Sequence, residues 1–287
     1  MKNHTLILLF FFLILISGCT KTAEEASPLE GTFTALTYNV AGLPEGINAD
    51  QHPVANTPLI SPRLNNYDLV NVQEDFYYHD VLIKDNHHKY KSKYFALEGG
   101  LGDGLNMFSD FLILNYMRTG WDDCNGTDCL TPKGFTYSRV KLTPKAYIDV
   151  YDLHCNAGSD DNDLAARRAN ILQLCKYIKF RSKDHAVIIM GDTNCRYTRE
   201  GDNIRELLAL GFKDSWIELE KGGVLPEQNG VTLADEVVDK IFYRSNSSIS
   251  LTALEYDVPG DAFLDGNGEW LSDHRPVFTK FKFNVLN

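Results

Sequence analysis

The chain has 287 residues, of which 44% are hydrophobic and 23% charged. That is enough apolar material for a full core and too little charge for a disordered polymer. The formal charge of −11, from 28 Lys and Arg against 39 Asp and Glu, excludes a surface built for non-specific grip on a phosphate backbone. It does not exclude an enzyme that acts on phosphate esters, because a bound divalent cation can supply the local positive charge that side chains lack.

Lys2 precedes an uninterrupted apolar run from Leu6 to Ile16. The run is too short for the roughly 20 residues of a spanning helix and fits the ~7–15 of an export signal's apolar core. It ends in Ile16-Ser17-Gly18-Cys19, which resembles a bacterial lipobox, where the cysteine becomes the lipidated first residue of the mature protein. Residues 1–19 are therefore expected to be a signal peptide with a lipid anchor at Cys19, and residues 20–31, small and polar, a flexible tether. Residues 32–287 are expected to form one domain. Either a lipobox or an ordinary signal places the protein outside the cytoplasm, anchored to a bacterial membrane or secreted.

Strands are expected, from β-branched and aromatic enrichment with alternation, at Phe33–Tyr38, Leu69–Gln73, Phe111–Asn115, Phe135–Leu142, Tyr147–His154, Ala186–Met190, Val237–Tyr243, Ile249–Leu254 and Pro276–Phe283. The clearest helix runs from about Leu164 to Phe180. Ile171, Leu174, Cys175 and Ile178 form its apolar stripe, while Arg167, Arg168, Lys176 and Lys179 read as lying off it. A shorter helix, Asn203–Leu210, stops at Gly211. The predicted fold is an α/β or α+β sandwich. Excluding Cys19, five cysteines remain, an odd number, and in an oxidising compartment Cys124 and Cys129 are the first choice for a local disulfide.

Polar residues cluster where strands end. Asn39 follows Ala35-Leu36-Thr37-Tyr38, and Glu74 follows Leu69-Val70-Asn71-Val72-Gln73. Asp152 and His154 share parity with Ile148 and Val150, so a face that is apolar lower in the strand becomes acid and imidazole at its rim. Ala186-Val187-Ile188-Ile189-Met190 delivers Gly191-Asp192-Thr193-Asn194, where the glycine is expected to let backbone approach a ligand. Ser272-Asp273-His274-Arg275-Pro276-Val277 sets an acid beside an imidazole just before the last strand.

This ordered series, together with Val238-Asp239, resembles the endonuclease/exonuclease/phosphatase superfamily, the DNase I-like enzymes, and covers nearly all of the mature chain. The resemblance implies a four-layered sandwich of two mixed β-sheets flanked by helices, and magnesium-dependent hydrolysis of a phosphate ester. Such chemistry needs a hard cation, polar donors and a base for water. Glu74 is expected to be the principal ligand of Mg²⁺, with Mn²⁺ or Co²⁺ as substitutes. Asn39 is placed near the metal or its waters, and Asp273 as a second contributor. Asp192 would orient the attacking water, Asn194 would donate to the phosphate, His274 would accept the water proton, and His154 would donate to a phosphate oxygen or the leaving group. The two histidine roles remain exchangeable at this stage.

The segment around Lys133-Gly134-Phe135 resembles neutral sphingomyelinases, making Lys133 a candidate substrate contact. The alternative is a Pro132-Gly134 turn with a solvent-facing lysine. Leu153-His154-Cys155-Asn156 departs from the Thr-His-Leu-Gln typical of sphingomyelinases, and Val238-Asp239-Lys240-Ile241 departs from the Trp-Cys-Asp-Arg of inositide phosphatases. The preferred expectation is a sphingomyelinase-like phosphodiesterase acting on a membrane phospholipid. A secreted DNase-like nuclease is second and a phosphomonoesterase third, with no obligate protein partner. A binding protein without activity is disfavoured, because Glu74, His154 and His274 are all retained.

Overall fold

The structure, a computed structural model, describes residues 28–47, 49–98 and 101–286. The signal segment and Cys19 lie outside the described residues. Strand β1 (Glu30–Asn39) begins two residues before the expected domain boundary. Its alternation sends Phe33, Ala35 and Thr37 to one face and Leu36 and Tyr38 to the other, and all are buried. It therefore lies at the middle of a stack.

The elements that follow are helix α1 (Pro53–Arg63), β2 (Leu69–Gln73), α2 (His79–Leu82), β3 (Tyr90–Lys91), β4 (Asn106–Ser109), β5 (Leu112–Gly120), β6 (Gly134–Thr143) and β7 (Ala146–His154). Then come α3 (Asp161–Arg181), β8 (Val187–Asp192), α4 (Arg205–Ala209), β9 (Lys213–Asp214), α5 (Ser215–Glu220), β10 (Asp239–Arg244), β11 (Ile249–Asp257) and β12 (Val277–Val285). They build two six-stranded sheets, in the orders β11-β12-β1-β2-β4-β3 and β5-β6-β7-β8-β10-β9. Each sheet has one parallel pair, β1 with β2 and β7 with β8, and its other pairs are antiparallel.

Between the sheets lies an apolar layer containing Phe33, Leu69, Ile148, Ile188, Ile241 and Phe281. Leu36, Val70 and Val72 pack outward on Ile60 and Leu64, in and just beyond α1. Leu153 and Ile189 pack outward on Ile171 and Leu174 of α3. The result is the four-layered helix, sheet, sheet, helix sandwich of the DNase I type. No helix among the described residues is long and apolar enough to cross a membrane.

Helix α1 carries Pro58 and Pro62 inside it, which argues against a helix from sequence alone; it nonetheless forms where Ile60 can be buried on the sheet. Asp160 caps α3, accepting from the backbone N–H groups of Asn162 and Asp163 at 2.9 Å each. Cys124 and Cys129 are disulfide-bonded with their Cα atoms 5.4 Å apart, and Cys155, Cys175 and Cys195 are free and buried. Gly191 is required by its neighbour strand, since a Cβ there would stand 2.2 Å from the Leu153 carbonyl oxygen. One sequence expectation needs correction. Arg167, read as lying off the apolar stripe, is fully buried on it, one turn before Ile171.

Phe281 of β12 stacks on Phe33 at 5.5 Å and meets Tyr243 of the opposite sheet edge-on at 5.3 Å. Phe281→Ala should cost about 3–5 kcal/mol, as buried Phe truncations do. Urea unfolding of the variant measures it, and a loss below 1 kcal/mol would show that this contact does not join the sheets.

Candidate active site

Inward parity carries the site. On β1 the inward series Phe33, Ala35, Thr37 ends at Asn39. On β7, Ile148 and Val150 lead to Asp152 and His154, and on β8 Ile188 and Met190 lead to Asp192. On β2, Leu69 leads to Asn71 and Gln73, with Glu74 next in the chain. One end of the inter-sheet space is therefore apolar and the other polar. Side-chain bonds cross between the sheets at the polar end, among them Asn39 Nδ2 to Asp192 Oδ2 at 3.2 Å, Gln73 Nε2 to Asp152 Oδ1 at 2.6 Å, and Asn71 Nδ2 to the Tyr151 carbonyl oxygen at 3.1 Å.

Backbone strain collects at the same rim. Glu74 and Asn194 hold left-handed φ values of 56° and 51° without being glycine, a conformation that persists only where surrounding structure enforces it. Gly42 shows the enforcement, because a Cβ on it would stand 2.5 Å from the Glu74 carbonyl oxygen.

Glu74, Lys133, His154, Asp192, Asn194, Asp273 and His274 line one cavity of about 380 Å³. Asn39 sits beneath it, fully buried. Its Nδ2 joins Glu74 Oε1 at 3.1 Å to Asp192, and its Oδ1 is taken by the Ala41 N–H at 3.1 Å. Asn39 thus holds two carboxylates together by its amide. Asp273 is exposed at the mouth, and Asn194 spends one amide hydrogen on the Cys155 carbonyl oxygen at 3.1 Å. Lys133 does not face solvent: its Nζ lies 2.5 Å from Asp128 Oδ1 and 3.0 Å from His154 Nε2.

The two histidines stand in opposite fields. His154 Nε2 is 3.2 Å from Asp192 Oδ2, but burial, Lys133 and His274 push its pKa well below the ordinary histidine value. Burial also opposes charge on His274, yet the carboxylates of Asp239 and Asp192 outweigh it and raise its pKa well above that value. His274 Nδ1 faces Asp239 Oδ2 at 2.8 Å, and its Nε2 lies 3.6 Å from Asp192 Oδ2.

Asp239 was given no role by the sequence reading. It opens β10, and because β10 runs antiparallel to β8 it pairs in register with Asp192 at the polar end. The signal available was Val238-Asp239 within the motif series, but an acid at a strand start looks unremarkable until the neighbour's direction is known. Asp192, Asp239 and His274 are close enough to share a cation, although the Nδ1 contact to Asp239 satisfies that trio with a proton. Glu74 is the better candidate metal ligand. Burial raises its pKa, the Asn39 amide is its one hydrogen-bond donor among the described residues, and Asp192 adds like charge. A half-buried carboxylate facing a cavity whose lining offers, among the described residues, a single Lys or Arg, Lys133, fits a hard cation.

Residues 52–232 match the Endonuclease/Exonuclease/phosphatase family 2, and the chain belongs to this family. Among individual proteins, a sphingomyelinase of Mycobacterium tuberculosis is 35% identical over 270 residues, covering 90% of this chain and 54% of that protein. The chain thus spans about half the length of the curated relatives it matches. The fold is shared with Staphylococcus aureus beta toxin carrying bound magnesium ions (TM-score 0.59, 16% identity, 87% of this chain and 99% of the other). It is shared as well with D. rerio TDP2 complexed with a single-strand DNA product (TM-score 0.61, 20% identity, 88% and 99%).

Asp239→Asn should leave the melting midpoint nearly unchanged and lower phosphodiester turnover by about 10²–10⁴-fold, because the imidazole loses the carboxylate that fixes its tautomer and supports its charge. Steady-state kinetics beside a thermal melt check this, and near-wild-type turnover would remove Asp239 from the site.

Proposed function

We propose that the protein is a phosphodiesterase that hydrolyses a membrane phospholipid at its head group, in the manner of a sphingomyelinase C, with Mg²⁺ as its cation. The observation that carries this reading is the collar of the cavity. Leu43, Ile47, Leu101 and Leu130 line the same space as Glu74, His154, Asp192 and His274, with Ile47 71% and Leu130 79% exposed. Apolar side chains ringing a polar floor suit a substrate with a phosphate at one end and acyl chains at the other. The 35% identity to a sphingomyelinase supports the same reading. A nuclease is second, supported by the shared fold of a DNA-processing protein. The collar counts against it, since a cavity with Lys133 as its single Lys or Arg among the described residues gives a phosphate backbone little to hold. Export and anchoring through Cys19 would bring the domain to its substrate at a membrane.

Glu74 would hold the cation, which when bound neutralises charge on the phosphoryl oxygens. The chain's own groups divide the remaining work. Asp192 accepts a hydrogen bond from the attacking water. In its neutral form His274 takes the water proton at Nε2, its other nitrogen held by Asp239. As water oxygen bonds to phosphorus, the bond to the lipid oxygen breaks; the departing oxygen is protonated from solvent, to which His274 returns the proton it took. His154, kept neutral by burial, presents Nε2 to a phosphoryl or leaving oxygen. Lys133, steadied by Asp128, adds positive charge beside it. Asn194 contributes its remaining amide hydrogen, and Asp273 at the mouth completes the polar edge.

Chelation should abolish turnover of sphingomyelin in mixed micelles and Mg²⁺ should restore it. Glu74→Gln should shift the Mg²⁺ activation midpoint upward by at least about tenfold, since it removes ligand charge. Full activity in chelator would refute the assignment. The lipid reading makes a separate demand. Leu130→Asp should reduce hydrolysis of sphingomyelin in bilayer vesicles several-fold while leaving the water-soluble diester p-nitrophenylphosphocholine unaffected. Preferential cleavage of double-stranded DNA by the wild type would favour the nuclease instead.

A further inference from the structure

Arg167 of α3 is fully buried although it carries a permanent charge. Its Nε donates to Asp202 Oδ1 at 2.9 Å. Its Nη1 donates to the carbonyl oxygens of Asn156, Ala157 and Gly158 at 2.9, 3.3 and 2.9 Å. Those carbonyls belong to the segment that leaves His154. The other oxygen of Asp202 accepts the backbone N–H of Arg196 at 2.8 Å, two residues beyond Asn194. It also faces Arg199 Nη1 at 3.4 Å, and that guanidinium donates in turn to the Asn194 carbonyl oxygen at 2.9 Å. One ion pair therefore grips two segments of the site, the arginine holding the chain after His154 and the aspartate holding the chain after Asp192 and Asn194.

We infer that Arg167 and Asp202 are positioning residues that set the separation of His154 from Asp192 and Asn194. The inference rests on the proposed reading of the site. Neither residue lines the cavity, so neither touches substrate, and both act through the loops they hold. General stability does not explain the pair, because desolvation offsets much of the attraction of buried charges. Its placement does. The two segments leave adjacent parallel strands and are otherwise joined by the Cys155 N–H to the Asp192 carbonyl oxygen at 2.9 Å and by Asn194 Nδ2 to the Cys155 carbonyl oxygen at 3.1 Å. Both of those contacts lie close to the strand ends. Beyond them a planar guanidinium fills a role that an ammonium cannot, since Nε and Nη1 engage partners on two segments in one fixed fork.

The test uses the full chain in Mg²⁺, with Arg167→Lys and the paired variant Arg167→Met, Asp202→Leu. Lysine keeps the charge opposite Asp202 but loses the fork. The paired change replaces buried charges with apolar groups, which commonly preserves folding. Each is read by thermal melting and by kcat and KM on sphingomyelin in mixed micelles, and in parallel on bis(p-nitrophenyl) phosphate. We expect cooperative melting, kcat lowered about 10–100-fold, as a displacement on the order of 1 Å produces, and KM changed less than about twofold. Wild-type kcat in either folded variant would overturn the assignment, as would a loss carried by KM alone. Absence of cooperative melting in both variants would overturn it too, by making the pair a folding requirement. A wild-type enzyme active on the chromogenic diester but not on sphingomyelin would fail the substrate reading and leave this test intact.

Discussion

The two sheets are closed at one end by hydrogen bonds where the rest of their interface is closed by apolar contact, and the site depends on that difference. Asn39, Asn71 and Gln73 reach across to Asp192, Tyr151 and Asp152, so the polar end is joined across the sheets by side-chain hydrogen bonds. A buried amide or carboxylate left without a partner would cost more than the bond it lost. The strand ends therefore cannot slide relative to one another, and their last residues are delivered to fixed places. Glu74 and Asn194 add local strain that the neighbouring backbone enforces, with Gly42 the closest packed against it.

Charge balance gives the site its chemistry. Among the described residues, Glu74, Asp192 and Asp239 lie close around one ammonium, Lys133, and two imidazoles. The field of Asp239 and Asp192 makes one imidazole a strong base, and burial beside Lys133 makes the other a weak one. Two chemically identical side chains thus acquire different proton affinities from their surroundings, a common way to divide acid and base work within one site. The same surplus of carboxylate would suit a hard cation at Glu74 under the proposed reading.

The disulfide loop couples this chemistry to the surface. Cys124 and Cys129 close a short turn that carries Asp128, which steadies Lys133 and accepts the backbone N–H of Ala157, while Leu130 stands exposed beside it. One loop therefore presents an apolar side chain outward and a charge inward. That arrangement suits a substrate lying partly in lipid.

Much of this was legible in the residues. Asn39, His154 and Asp192 end strands with the parity of apolar residues below them, and alternation is a local property that needs no knowledge of neighbours; Glu74 follows β2 and His274 precedes β12, and both were marked by the ordered motif series. The main strands and α3 followed from the same local patterns, and the short loop between Cys124 and Cys129 marked the disulfide. Asp239, Arg167 and the helix at Pro53–Arg63 were not legible, each for a physical reason. Asp239 reaches the site because β10 runs against β8, and strand direction is set by pairing. Arg167 occupies a core position because Asp202 and three carbonyls, all distant or irregular in sequence, compensate its charge. Helix α1 tolerates its prolines because the sheet it covers repays their cost in buried area. The sequence by itself determined which residues point together along each strand and helix, since side-chain direction repeats with a fixed local period. Only the tertiary structure decided which of those faces meet, because pairing partners and the compensation of buried charge arise from contacts between segments far apart in the chain.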